Sequence, residues 1–271
     1  MNPTVESMKR ILLCLVVVLV APPLVCRAQV VHVGVKKRAT VKTNDPLARS
    51  RQLVVVTTGG WDALAGTLRR YERKGAKSAW RSVGAELPVV VGRNGLGWGE
   101  GLNDARGDGP VKKEGDGKAP AGVFRLTSAF GYAPARDARW LRMPYLALTE
   151  TIECVDDVNS SNYNLILDRN RVAPVDWKSS EQMRGQGESY RWGVVVAHNS
   201  DPPVAGRGSC IFLHVWRGPD KGTAGCTALE QARLEELMRW LDPQKRPALV
   251  QLPRAEYARL GALWRLPEFT K

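Results

Sequence analysis

The chain has 271 residues, Lys and Arg outnumber Asp and Glu by 40 to 27, and the formal net charge is +13. Such a charge attracts polyanions, but the basic residues are spread along the chain and no helix-turn-helix, zinc-finger or aromatic-plus-basic RNA motif accompanies them, which excludes nucleic acid as the partner. Most of the excess serves solubility, and in an exported chain the polyanions at hand are cell-wall carboxylates and lipid head groups.

In chain order, the first element is a leader. Met8-Lys-Arg10 precedes an apolar run over 11–20 that ends at Pro22-Pro23, shorter than the roughly 20 apolar residues of a membrane helix. Residues 1–28 therefore predict a signal peptide cleaved after Ala28, no stable membrane span after cleavage, and a protein exported to the periplasm or cell envelope. Pro23-Leu-Val-Cys26 is a poor lipobox and argues against lipidation. Lys9, Arg10 and Arg27 against Glu6 make the leader +2, so the remaining chain carries +11 of the +13. Residues 29–52 are basic and polar without periodicity and predict a tether or disordered arm. Residues 53–271 predict one domain without internal repeats. Strands are expected over 53–58, a hairpin over 67–83, then 88–91, 123–127, 163–167, 192–197, 210–215 and 248–252. One principal helix is expected over 228–241 and a short one over 254–260. The fold class is mainly β, of α+β type.

The chemistry concentrates near Cys226, in the run Lys221-Gly-Thr-Ala-Gly-Cys-Thr-Ala-Leu-Glu230. Thr227 and Glu230 have the spacing of a capping box, and Leu234, Leu237, Met238 and Leu241 then share a helical face. This pattern predicts that Cys226 lies at the start of a helix, where free N–H groups and the helix dipole favour a thiolate. Gly222 and Gly225 allow a sharp turn, so that the Gly225 backbone could meet an oxyanion formed when the thiolate attacks a carbonyl. The chain has three histidines, His32, His198 and His214. His32 falls in the basic arm, whereas His198 and His214 close apolar strands. His214 is separated from Cys226 only by a loop and is expected to be the general base; His198 sits on a neighbouring strand.

With the leader removed, Cys154, Cys210 and Cys226 remain, an odd number. A Cys154–Cys210 disulfide with Cys226 free is one reading, and buried free cysteines at 154 and 210 are the other; spacing does not choose between them. If Cys210 and His214 share a strand, alternation puts them on one face. Asp156 and Asp157 have no His or third carboxylate at ligand spacing and read as turn or capping residues, so no metal is expected. The loops at Gly107-Asp-Gly109 and Gly115-Asp-Gly-Lys118 lack phosphate-loop spacing. Trp98, Trp192 and Trp216 read either as core or as walls of a groove.

The stretch from Ser209 to Leu241 resembles the catalytic core of the L,D-transpeptidase (YkuD-like) family, with Thr223-Ala-Gly-Cys226-Thr-Ala228 in place of the Ser-His-Gly-Cys-x-Arg motif. Further blocks are Gly92-Arg-Asn-Gly-Leu-Gly-Trp-Gly99, Glu114-Gly-Asp-Gly-Lys-Ala-Pro-Ala-Gly-Val-Phe124, Val155-Asp-Asp157 with Tyr163-Asn164, and Tyr190-Arg-Trp-Gly193. The motif histidine is Ala224 here and the motif arginine is Ala228. The resemblance implies a mixed β-sandwich with one principal helix after the cysteine loop, and a cysteine-dependent acyltransferase without cofactor. Cys226 would be the nucleophile and His214 the proton acceptor and donor. His198, Trp98, Trp216, Arg217 and Thr223 are candidates for contacting a peptidoglycan tetrapeptide stem, which would release D-Ala and form a crosslink. Hydrolysis of the same acyl-enzyme, as an L,D-carboxypeptidase, and a non-catalytic wall-binding domain are the alternatives.

Overall fold

A computed structural model describes residues 45–104 and 106–268; the expected leader and most of the expected arm lie outside the described residues. The strands are β1 (Gln52–Thr58), β2 (Ala65–Glu72), β3 (Arg81–Ser82), β4 (Leu87–Val90), β5 (Leu96–Trp98), β6 (Ala119–Gly131), β7 (Tyr145–Ala147), β8 (Ile152–Val155), β9 (Ile166–Asp168), β10 (Ser180–Gln182), β11 (Trp192–Val196), β12 (Phe212–Val215), β13 (Thr227–Leu229) and β14 (Ala248–Pro253). Two α-helices, α1 (Gln231–Trp240) and α2 (Arg254–Leu260), complete the described elements, together with short 3-10 turns.

The runs Leu53-Val-Val-Val56 and Leu249-Val250 are β-branched and apolar, and their strands are buried on both faces. β1 pairs in parallel with β14 and antiparallel with β2. From β14 the sheet runs through β6, β11, β12, β13 and β4 and returns to β2, so it closes on itself with no open edge in that circuit. The fold is mainly β with two helices, as the sequence predicts, but the main sheet is a closed barrel. α2 lies on β1 and β14, and α1 lies on β11 and β12 through the fully buried Leu234, Leu237 and Met238. A separate three-stranded sheet, β10-β8-β9, carries Cys154 and is tied to the barrel by a Cys154–Cys210 disulfide.

Three expectations are corrected. The principal helix begins at Gln231, because Thr227–Leu229 pairs in parallel with β12 as β13. Residues 163–165 form a turn, and the strand there begins at Ile166. The arm does not extend to residue 52: Leu47 is fully buried, and its carbonyl and that of Ser50 accept from the buried Arg73 guanidinium.

Candidate functional site

β12 carries His214 and is flanked by β11 and β13. His214 is in register with Gly193 on one side and Ala228 on the other. Cys226 directly precedes β13, where the Phe212 N–H donates to Sγ at 3.3 Å and the thiol donates to the Cys210 carbonyl at 3.4 Å. Gly193 is required beside His214: a Cβ there would stand 2.2 Å from Cζ of the fully buried Phe130 ring. Tyr190 packs edge-on against His214, with ring centroids 5.4 Å apart, and shares a buried cluster with Cys226.

The environment of the thiol differs from the one the sequence predicts. No helix begins at Cys226; Glu230 is the helix N-cap without a side-chain cap bond, and the Thr227 hydroxyl bonds Gln251 instead. Cys226 is buried in an apolar cluster with Phe130, Ile152, Met183, Tyr190 and Phe212. Burial pushes its thiol far above the ordinary range and the Glu181 carboxylate adds to this, opposed by the Phe212 N–H, Lys112 and Tyr190. The resting group is a neutral thiol. His214 Nδ1 lies 2.8 Å from the Val215 carbonyl. A carbonyl only accepts, so Nδ1 carries the proton and Nε2 holds the free lone pair. Burial lowers the imidazole to about 4, so it is neutral at pH 7.

The turn before Cys226 is tightly anchored. The Thr223 hydroxyl donates to the Cys226 carbonyl at 2.6 Å and accepts from the Gly225 N–H at 3.2 Å. Thr223 is thereby occupied within the turn, and an oxyanion contact from the Gly225 N–H would require its bond to Thr223 to break. Gly92 bridges to Thr223 of this turn, and a Cβ on it would meet the Gly117 carbonyl of another segment at 2.4 Å.

The other expected residues disperse. His198 donates through Nε2 to the Arg207 carbonyl (2.9 Å), packs edge-on to Phe124 and is almost fully buried, with burial lowering it to about 4. Its Nδ1 has no hydrogen-bond partner, and none of these contacts reaches Cys226. Trp98 is a core residue against Trp61, not a groove wall. Trp216 is half-buried and Arg217 is exposed, two and three residues after His214. Cys210 is near Cys226 through its carbonyl rather than by strand alternation, because it precedes β12 with φ +56°. Asp157 closes a turn, as predicted, accepting from the Asn159 and Lys178 N–H groups.

Several residues around the thiol escaped the sequence reading. Tyr190 donates to Glu181 at 2.5 Å. Glu114 accepts from the Tyr163 and Ser209 hydroxyls. Asn164, at φ +62°, straps the His198 and Asn199 carbonyls to the Cys210 N–H. Lys112 is buried and paired with Asp116 at 2.6 Å. Tyr190, Glu114 and Asn164 lie inside the quoted sequence blocks, which were a usable signal; Glu181 had none. Among the described residues there is no group of three or more His, Cys, Asp or Glu side chains placed to hold a metal ion, and no helix long and apolar enough to cross a membrane.

A buried imidazole on β12 and a buried thiol just before β13 thus lie on one wall of a closed barrel. The family model of the L,D-transpeptidase catalytic domain (YkuD) matches residues 67–250, and the chain belongs to that family. No curated protein and no solved structure gives a match to the chain.

Proposed function

We propose that the protein is an exported L,D-transpeptidase acting on peptidoglycan tetrapeptide stems, with Cys226 as nucleophile and His214 Nε2 as base. The observation that carries this reading is the placement of His214 on β12 beside the strand that Cys226 precedes, with Tyr190 packed on His214 and clustered with Cys226, within a domain of the L,D-transpeptidase family. Because both groups are neutral at rest, proton transfer from Sγ to Nε2 accompanies attack rather than preceding it. The sulfur attacks the carbonyl of the diamino-acid residue, the amide bond to D-Ala breaks, and the imidazolium returns the proton to the departing amine. A thioester on Cys226 remains. An amine from a second stem then resolves it into a crosslink. The catalytic domain includes residues 45–268, the leader directs export to the periplasm, and the basic surface favours the anionic wall.

Purified disaccharide-tetrapeptide incubated with the protein should yield crosslinked dimers and free D-Ala. Cys226→Ala and His214→Ala should lower the yield by at least about a hundredfold, the low end of what a general base contributes. Tripeptide monomer without dimers would make the enzyme a carboxypeptidase, and intact substrate would overturn the reading.

A further inference from the structure

The β2–β3 hairpin, the residue entering β1 and the turn before β14 line a cavity of about 600 Å³. Its wall carries five cations, Arg51, Arg73, Lys74, Arg81 and Lys245, and one carboxylate, Glu72. Glu72 is already satisfied: Lys245 reaches its Oε1 at 3.0 Å, and the Gln52 amide donates to the same oxygen at 2.9 Å. The remaining four positive charges are therefore unopposed within the lining. Arg73 is buried, its guanidinium donating to the Leu47, Ser50 and Ala76 carbonyls and lying 4.2 Å from the centroid of the Trp80 ring. These contacts fix the group without removing its charge. Arg51, Lys74 and Arg81 are exposed, and Arg51 is steadied by a 2.9 Å bond to the Gln244 carbonyl.

Like charges gathered in this way repel one another in the folded state, and a bound anion relieves the repulsion. The volume is that of a site for a small organic molecule. A guanidinium fork and an ammonium, with the Ser78 and Ser82 hydroxyls beside them, form a donor set that suits phosphate oxygens. Ala79 and Val83 are the apolar residues of the lining, too few to hold an acyl chain. The cavity also stands apart from the thiol. Ala65 of β2 pairs with Val90, which pairs with Ala228 just past Cys226, whereas Glu72 ends the same strand, roughly 23 Å from Ala65 at about 3.3 Å per residue.

We propose that this cavity is a second binding site, for the phosphate group of a phosphate ester carried on a soluble molecule or on a lipid headgroup. Arg81 and Lys74 make the direct contacts, and Arg51 and the buried Arg73 supply a fixed positive field. The site does not depend on Cys226 being a nucleophile.

Isothermal titration of the full chain with sodium pyrophosphate at constant ionic strength tests it. Wild type is compared with Lys74→Ala plus Arg81→Ala, and with Arg171→Ala plus Lys178→Ala, exposed cations of the small-sheet region that remove the same two charges. The cavity variant should bind at least about tenfold more weakly, since charge-assisted bonds are lost. The control should stay within about twofold, because charges more than about 10 Å away are screened. Absence of binding to wild type, or equal weakening in both variants, overturns the proposal. Should the cavity variant lose its cooperative melt, Arg81→Lys decides at constant net charge: weaker binding upholds the site and unchanged binding overturns it. Where the site is upheld, co-sedimentation with phosphatidylglycerol vesicles that is lost in the cavity variant assigns the phosphate to a lipid headgroup; co-sedimentation that is absent or unaltered assigns it to a soluble ester.

Discussion

His198 and His214 are both held at about 4 by burial, although one packs against Phe124 and the other against Tyr190. Their ordinary value is 6.5. Between pH 6.5 and 4 the unfolded chain therefore binds protons that the folded chain refuses, and stability falls as pH falls through that window. Glu181 works in the opposite sense: its folded value of about 7 exceeds its ordinary 4.5, so its contribution is present below 4.5 and is lost as pH rises through 7. At about 1.4 kcal/mol per pH unit, the two histidines outweigh the one carboxyl by about 3 kcal/mol between pH 6.5 and 4.5. Urea unfolding at those two pH values should show a loss of that order on acidification, and a flat profile would mean that a histidine is already charged in the folded state. The strand position of His214 was legible in the sequence because it closes an apolar run a short loop before the thiol. Glu181 was not, because its link to Cys226 runs through Tyr190 and through three chain segments distant from one another.

The sequence around Thr227 shows why local signals misplace an element. A capping-box spacing followed by a helical apolar stripe predicts a helix from 228, and the stripe is indeed the buried face of α1. Thr227, Ala228 and Leu229 are nevertheless more fully satisfied in the barrel: all three are buried, paired with β12, and the Thr227 hydroxyl reaches Gln251 on β14. Tertiary pairing overrides the cap, and with it the dipole argument for a thiolate. The three-residue strands β5, β7, β9, β10 and β13 were largely invisible for the same reason, since three residues carry too little alternation to register. Longer runs such as β1, β14 and α2 were read to within a residue or two. The disulfide joins the small sheet to the chain beside the thiol and closes a loop of 56 residues in sequence separation. Replacing both partners, Cys154→Ala with Cys210→Ala, should lower unfolding free energy by about 4 kcal/mol in urea on the loop-entropy relation. A loss below 1 kcal/mol would mean that the small sheet is held by packing alone.

At the scale of the molecule, closure of the barrel depends on β1, which bridges β2 and β14, yet β1 precedes the matched residues 67–250. Its hydrophobicity made it readable as a strand, but closure was not readable, because the partners of β1 lie at opposite ends of the domain. Residues 45–51 belong to the same body through Leu47 and Arg73, a contact hidden in a segment whose composition reads as a polar tether. The barrel thus holds His214 and Cys226 on one wall, while the disulfide ties the small sheet to Cys210, whose carbonyl accepts from the thiol. The central claim is that this thiol forms the covalent intermediate. Intact-protein and peptide mass spectrometry, after rapid acid quench of the enzyme with disaccharide-tetrapeptide, tests it most directly. An adduct with the mass of the disaccharide-tripeptide acyl group, on the peptide containing Cys226 and absent from Cys226→Ala, is the predicted result; D-Ala release with Cys226 unmodified and turnover undiminished in Cys226→Ala would contradict it.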